Sequence, residues 1–196
     1  PLPDTSLCPN SGPTVASRTT MVVGQCGMSP APIKEKTTLQ SVAEDYLEEI
    51  EKYKYYPKRT VFTRDEINRV MKKNIGWTID WHTMSEWFKV VEEKKISINM
   101  ASLVGHVTVR RTVMEDDFKR PSNRGEKDEM GALIRKALDD GAYGMSIGLD
   151  YDPDTYADHE ELVEHCKVVA DCDGIFVPHS RRTGRRREVA EGYKQH

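Results

Sequence analysis

The 196-residue chain carries its chemistry-bearing side chains at the ends of short apolar runs. The stretch VVGQCGMSPAP, residues 22–32, sets Cys26 between glycines and follows it with prolines. His106 closes the run ISINMASLVG, residues 96–105. The sequence GLDY, ending in Tyr151, follows YGMSIG (143–148), and His179 ends IFVPH (175–179). A thiol and two imidazoles brought to one place form a metal set of the kind zinc accepts. Each also has a plainer reading. Cys26 can be a small thiol in a tight bend, His106 a core histidine satisfied by backbone, and His179 a residue fixed by Pro178. His159 and His165 lie on a glutamate-rich helix and are expected to face solvent, while Cys166 and Cys172 suit packing.

What must position these residues is a series of strands and helices. The run TTMVVG (19–24) predicts a buried strand, and 96–105, 143–148 and 175–179 predict three more. Between them, apolar spacing predicts helices from about Leu39, after the capping boxes TRDE at Thr63 and TMSE at Thr83, around Met130 to Leu138, and over DHEELVEHCKVVADCDG, stopped by Gly174. Gly141 is expected to close the fourth of these, and Asp158 to cap the fifth. A further helix is expected from RREVAEGYKQH at the end of the chain. Strand and helix alternating at this spacing imply parallel β/α units, about four of them. In such folds the carboxyl ends of the strands share one face, and Cys26, His106, Tyr151 and His179 would meet there.

Composition narrows the function classes. With 37% hydrophobic and 31% charged residues and a net charge of −3, neither nucleic acid nor an anionic membrane is an expected partner. The basic run RRTGRRR (181–187) reads as a solvated helix start. Four dispersed cysteines without a C-x-x-C pair make neither a disulfide scaffold nor a zinc knuckle, and a cytoplasmic location is expected. No apolar run approaches the ~18 residues of a membrane span.

The ordered segments TTMVVGQCGMSPAP, INMASLVGHVTVRRTVM, GAYGMSIGLDYDPDTYA and GIFVPHSR resemble the D-aminoacylase or N-acyl-D-amino-acid deacylase group of the metal-dependent amidohydrolase superfamily. The resemblance covers residues 19–34 and about 77–182. It implies part of a (β/α)8 TIM-type barrel that hydrolyses the amide of N-acyl-D-amino acids through a metal-activated hydroxide, with one or two zinc ions. It makes Cys26 and His179 metal ligands, Tyr151 the pocket tyrosine that orients substrate or polarises its carbonyl, and Arg181 a partner for the substrate carboxylate. A phenol packed at a barrel rim and an arginine paired with a neighbouring loop remain the alternatives for the last two.

The implied layout is one incomplete catalytic domain: residues 1–34 a barrel strand and loop, 35–76 a helical insertion, and 77–196 further β/α units. The superfamily's H-x-H pair and its general-base aspartate are not found, so an internal fragment, inactive by itself, is expected. Two other readings stand beside it: an inactive barrel fragment serving as a binding or scaffold module, and a hydantoinase-like cyclic amidase. The cyclic amidases bridge their metals with a carboxylated lysine, where this chain has Cys26. Arginines in HSRRTGRRR stand where relatives carry an acidic residue, a departure that bears on substrate preference.

Overall fold

The computed structural model of the chain describes residues 20–34 and 63–180. The helices expected from Leu39 and in RREVAEGYKQH, and Arg181 itself, lie outside the described residues. In chain order the elements are β1 (Thr20–Val23), α1 (Arg64–Ile75), α2 (Met84–Lys94), β2 (Asn99–Ser102), β3 (Val104–Gly105), α3 (His106–Met114), α4 (Arg124–Asp139), β4 (Gly144–Gly148), a 3₁₀ turn (Asp154–Tyr156), α5 (His159–Asp171) and β5 (Ile175–His179).

All described strand pairs are parallel. β1 pairs with β2, Val23 opposite Ser102; β3 pairs with β4, Gly105 opposite Ser146; β4 pairs with β5, Gly148 opposite His179. The expected strand 96–105 is interrupted at Leu103, but hydrogen bonds run across the interruption. Leu103 N donates to Val23 O at 2.9 Å, and Tyr143 N donates to Ser102 O at 2.8 Å. The carboxyl ends of β1, β3, β4 and β5 therefore come together, as parallel β/α units require.

Burial differs from expectation at the first strand. Met21 and Val22 are 41% and 47% exposed, although β-branched and apolar sequence predicted a buried β1. Among the described residues β1 is hydrogen-bonded on one side only, to β2, and none of them covers its outer side, so apolar sequence alone does not bury it. β4 has neighbours on both sides, and all five of its residues are buried.

The helices begin where their caps dictate. Thr63, Thr83 and Asn123 each accept the N–H three residues on and receive a glutamate in return, which satisfies donors that a helix start leaves unpaired. Asp158 caps α5 by accepting from Glu161 N at 2.8 Å. α4 buries Met130, Ile134 and Ala137 against Val104, Met145 and Val169. α1 buries Ile67 and Met71 in the same core, so the described end of the expected insertion packs into the body of the fold. α3 was not anticipated from sequence. Val107, Thr108, Val109, Thr112 and Val113 disfavour helix, yet almost every residue of α3 is buried, and that packing overrides propensity. Among the described residues, no helix is long and apolar enough to cross a membrane.

Candidate metal centre

Cys26 sits on a turn that runs directly from β1, in which Met28 N donates to Gln25 O. Its own φ is 55°, and Gly24 and Gly27 flank it at 83° and 79°. That left-handed backbone suits glycine and strains cysteine, so the surroundings must hold it. They do so from three elements. Ser146 Oγ on β4 accepts from Gly27 N at 2.9 Å and donates to Gly24 O. Thr108 N on α3 donates to Gly27 O, and Thr108 Oγ1 accepts from Ser29 N. Ser29 Oγ accepts from Gly105 N at the end of β3. A side chain at Gly27 would come within 2.9 Å of Gly148 N and 3.0 Å of Asp154 Oδ2, so glycine is required there for space as well as for φ.

The result aims the thiol at the end of β5. Cys26 Sγ lies 3.3 Å from His179 Nδ1. Two ligands of one tetrahedral zinc, at about 2.3 Å for sulfur and 2.0 Å for nitrogen, stand about 3.5 Å apart. The pair therefore has both the chemistry and the spacing of two ligands to one ion. The other face of His179 is turned toward the loop after β4, with Nε2 3.8 Å from Asp150 Oδ2. Tyr151 sets its ring edge-on to the imidazole, centroids 4.8 Å apart and planes at 77°. Burial, with Cys26 and Asp150 nearby, raises the phenol's pKa, so it is a hydrogen-bond donor at neutral pH. Sequence had placed Tyr151 at this strand end but had given Asp150 no role.

His106 is not part of this group. It opens α3 fully buried, with Nδ1 2.8 Å from Asp154 Oδ1 and Nε2 2.9 Å from His165 Nδ1. His165, expected to face solvent, is 1% exposed. Its Nε2 lies 3.1 Å from the Lys127 carbonyl. Glu161 Oε1 is 3.5 Å from His106 Nε2, and the carboxylate is paired with the Arg110 guanidinium and accepts from Ser122 Oγ. His106, Glu161 and His165 are thus close enough for their donor atoms to meet one ion. The sequence signal missed was paired spacing: His106 and Arg110 on α3, Glu161 and His165 on α5, each four apart and so on one helix face.

The two buried histidines shift in opposite directions. Burial drives the His165 pKa down to about 4, helped by the neighbouring His106 charge. Burial also opposes charge on His106, but Asp154 and then Glu161 outweigh it and raise its pKa despite Arg110. A lowered histidine costs stability as pH falls from its ordinary 6.5 toward 4, because the unfolded chain takes up the proton first. A raised histidine contributes stability that is complete below 6.5 and is lost as pH rises through its folded pKa. The urea midpoint is therefore expected to peak near pH 6.5 and fall on both sides. His165→Gln should flatten the acid limb, and an unchanged acid limb in that variant would refute the assignment.

No protein-family profile matches the chain. Individual proteins do. The chain is 29% identical over 164 residues to an N-acyl-D-aspartate deacylase of Alcaligenes xylosoxydans xylosoxydans, covering 83% of this chain and 27% of that protein. It is 27% identical over 166 residues to a D-aminoacylase of the same organism, covering 85% of this chain and 28% of the relative. An N-acyl-D-glutamate deacylase, also from that organism, is 35% identical over 107 residues, covering 55% of this chain and 22% of the relative. A crystal structure of D-aminoacylase superposes with a TM-score of 0.64 at 25% identity, over 90% of this chain and 31% of that one. Another structure of D-aminoacylase, concerned with its binuclear metal centre, gives 0.65 over the same shares. The chain thus resembles the D-aminoacylase and N-acyl-D-amino-acid deacylase group over most of its own length, and spans a quarter to a third of the proteins it matches over most of that length.

Proposed function

We propose that this chain is part of a zinc-dependent amidohydrolase that hydrolyses the amide bond of N-acyl-D-amino acids. On this reading residues 1–34 and 77–196 supply β/α units of a (β/α)8 barrel, with 35–76 inserted between them. The observation that carries the reading is the Cys26–His179 pair, thiol and imidazole 3.3 Å apart at the carboxyl ends of parallel strands. The three described cysteines are free, which suits a cytoplasmic location.

When bound, zinc supplies a Lewis acid for the scissile carbonyl and makes water a usable nucleophile near neutral pH. The chain's own residues supply the rest. Cys26 and His179 would hold the ion, and Asp150, beside the far nitrogen of His179, would help orient the imidazole so that Nδ1 faces the thiol. Tyr151 keeps its proton and donates a hydrogen bond to the carbonyl oxygen as negative charge develops there. Arg181, two residues beyond His179, offers a planar fork to the substrate carboxylate.

The test uses cobalt(II) as a coloured stand-in for zinc. The protein is expected to bind it with a thiolate-to-cobalt charge-transfer band that Cys26→Ser abolishes and His179→Ala weakens at least tenfold in affinity. Zinc-loaded protein should release carboxylate from an N-acyl-D-amino acid and leave its L-enantiomer intact when the flanking barrel units are present. A cobalt complex without any thiolate band would overturn the assignment of the site.

A further inference from the structure

The geometry of the buried histidine pair leaves one proton to be accounted for. The Lys127 carbonyl can only accept, so His165 Nε2 carries a hydrogen. Asp154 Oδ1, as part of an ionised carboxylate, accepts from His106 Nδ1–H. The two remaining nitrogens, His106 Nε2 and His165 Nδ1, face each other at 2.9 Å with the Glu161 carboxylate 3.5 Å from the former. If both rings were neutral, two lone pairs and a carboxylate would converge on one dry point, a repulsive arrangement that a low-dielectric interior magnifies. With Asp154 ionised, a cation sits there, either a metal ion or a proton.

The charges around the point favour the proton. Glu161 is already engaged by the Arg110 guanidinium and by Ser122 Oγ, so much of its negative charge is already answered without a metal. Arg110 and a protonated His106 balance Asp154 and Glu161, two positive charges against two negative, all four side chains fully buried. Lys127, the remaining cation of α4 near this face, sends its ammonium outward to Asp158 and Glu160. A divalent ion in place of the proton would leave a net positive charge among fully buried groups, which is costly.

What the imidazolium does follows from its second hydrogen bond. Asp154 accepts from His106 with one oxygen and from Gly148 N with the other, at 3.1 Å. The same oxygen occupies the space beside Gly27 that a side chain would need. Gly148 ends β4 opposite His179, and Gly27 follows Cys26. We propose that His106, held as an imidazolium donating to both Asp154 and His165, is a positioning residue that fixes, through Asp154, the backbone at Gly148 and Gly27 on which the Cys26–His179 geometry depends. The positioning half rests on the reading of Cys26 and His179 as metal ligands; the charge state of His106 does not.

Two measurements test the two halves. In ¹⁵N-histidine NMR spectra of the wild-type chain at pH 7.5, one histidine is expected to carry hydrogens on both ring nitrogens, and His106→Gln should remove its signals. A bare nitrogen on His106 at that pH would overturn the charge state. So would a stoichiometric zinc titration that shifts the His106 and His165 signals, since it would put a metal where the proton is placed. For the second half, Asp154→Asn is expected to weaken cobalt binding at the thiolate band at least tenfold while the circular dichroism spectrum is unchanged. His165→Gln, which still offers an oxygen to His106 Nε2–H, should keep affinity within about twofold, whereas His165→Leu should not. Equal affinity in Asp154→Asn would overturn the positioning role. Absence of the thiolate band in the wild type would instead sink the ligand assignment and leave the NMR result standing.

Discussion

With the flanking barrel units of the proposed enzyme present, Cys26→Ala is expected to lower zinc affinity and amidase turnover by at least about 100-fold while leaving the melting temperature nearly unchanged. Removing a neighbour that only orients a ligand costs about 10- to 100-fold, and a ligand itself should cost more. The stability side is small because Cys26 is half-buried at the end of β1, its thiol worth ~1 kcal/mol or less of apolar burial. Alanine inherits the same left-handed φ of 55°, so no new strain is added. Cys26→Ser keeps the volume and removes the soft donor, and should behave like alanine in zinc content. Zinc stoichiometry, turnover and melting temperature measured on one preparation decide the matter. A fully active alanine variant with normal zinc would mean that Gly-Cys-Gly is only a bend.

The strand-end residues were legible because glycine and proline punctuate apolar runs at the points where the chain must turn. Gly24 and Gly27 flag a backbone that only a turn needs, and Pro178 with His179 marks the end of β5. What those punctuated runs could not convey was which end residues meet. Cys26 and His179 do, at 3.3 Å, but His106, equally placed at a strand end in the sequence, begins a helix and turns into the core. The difference lies in the β-branched run 107–113, helical through burial against its neighbours rather than through its own preference. β1 departs from its sequence for the converse reason: Met21 and Val22 have apolar side chains, but nothing among the described residues covers them.

The burial of His165 on α5 has the same physical root. Glutamates usually mark a solvated face, and HEELVEHCKVV contains three of them. Yet Glu161 is fully buried while Glu160 and Glu164 form exposed or part-exposed ion pairs. Glu161, His165 and Val169 recur every four residues on one buried face, so position on the helix, and not composition, separates the buried carboxylate from its neighbours. Once inside, it must have a partner, and α3 supplies Arg110 four residues after His106.

That partnership supports the second large effect. Arg110→Met is expected to destabilise the chain by about 3–5 kcal/mol, because it removes the closest cation from the Glu161 charge in a fully buried site. At roughly 2–4 °C per kcal/mol for a chain of this size, the melting temperature should fall by on the order of 10 °C. At present Arg110 and the His106 charge overcome burial and hold the Glu161 carboxyl below its ordinary pKa of 4.5. Without the guanidinium, only the His106 charge and Ser122 Oγ oppose burial, and the carboxyl should take up a proton at higher pH than in the wild type. The variant's loss should therefore shrink as pH falls through the variant's raised value, the reverse of the wild type, whose Glu161 contribution is complete above 4.5 and disappears below its lowered pKa. Arg110→Met combined with Glu161→Met removes both charges and fills the space with apolar atoms, and it should recover most of the stability. Urea titrations of the single and double variants at pH 5 and pH 7 measure all of this. A single variant that loses less than about 1 kcal/mol at pH 7, or a double variant no better than the single, would show that Glu161 is solvated and that the ion pair is not what fixes α3 to α5.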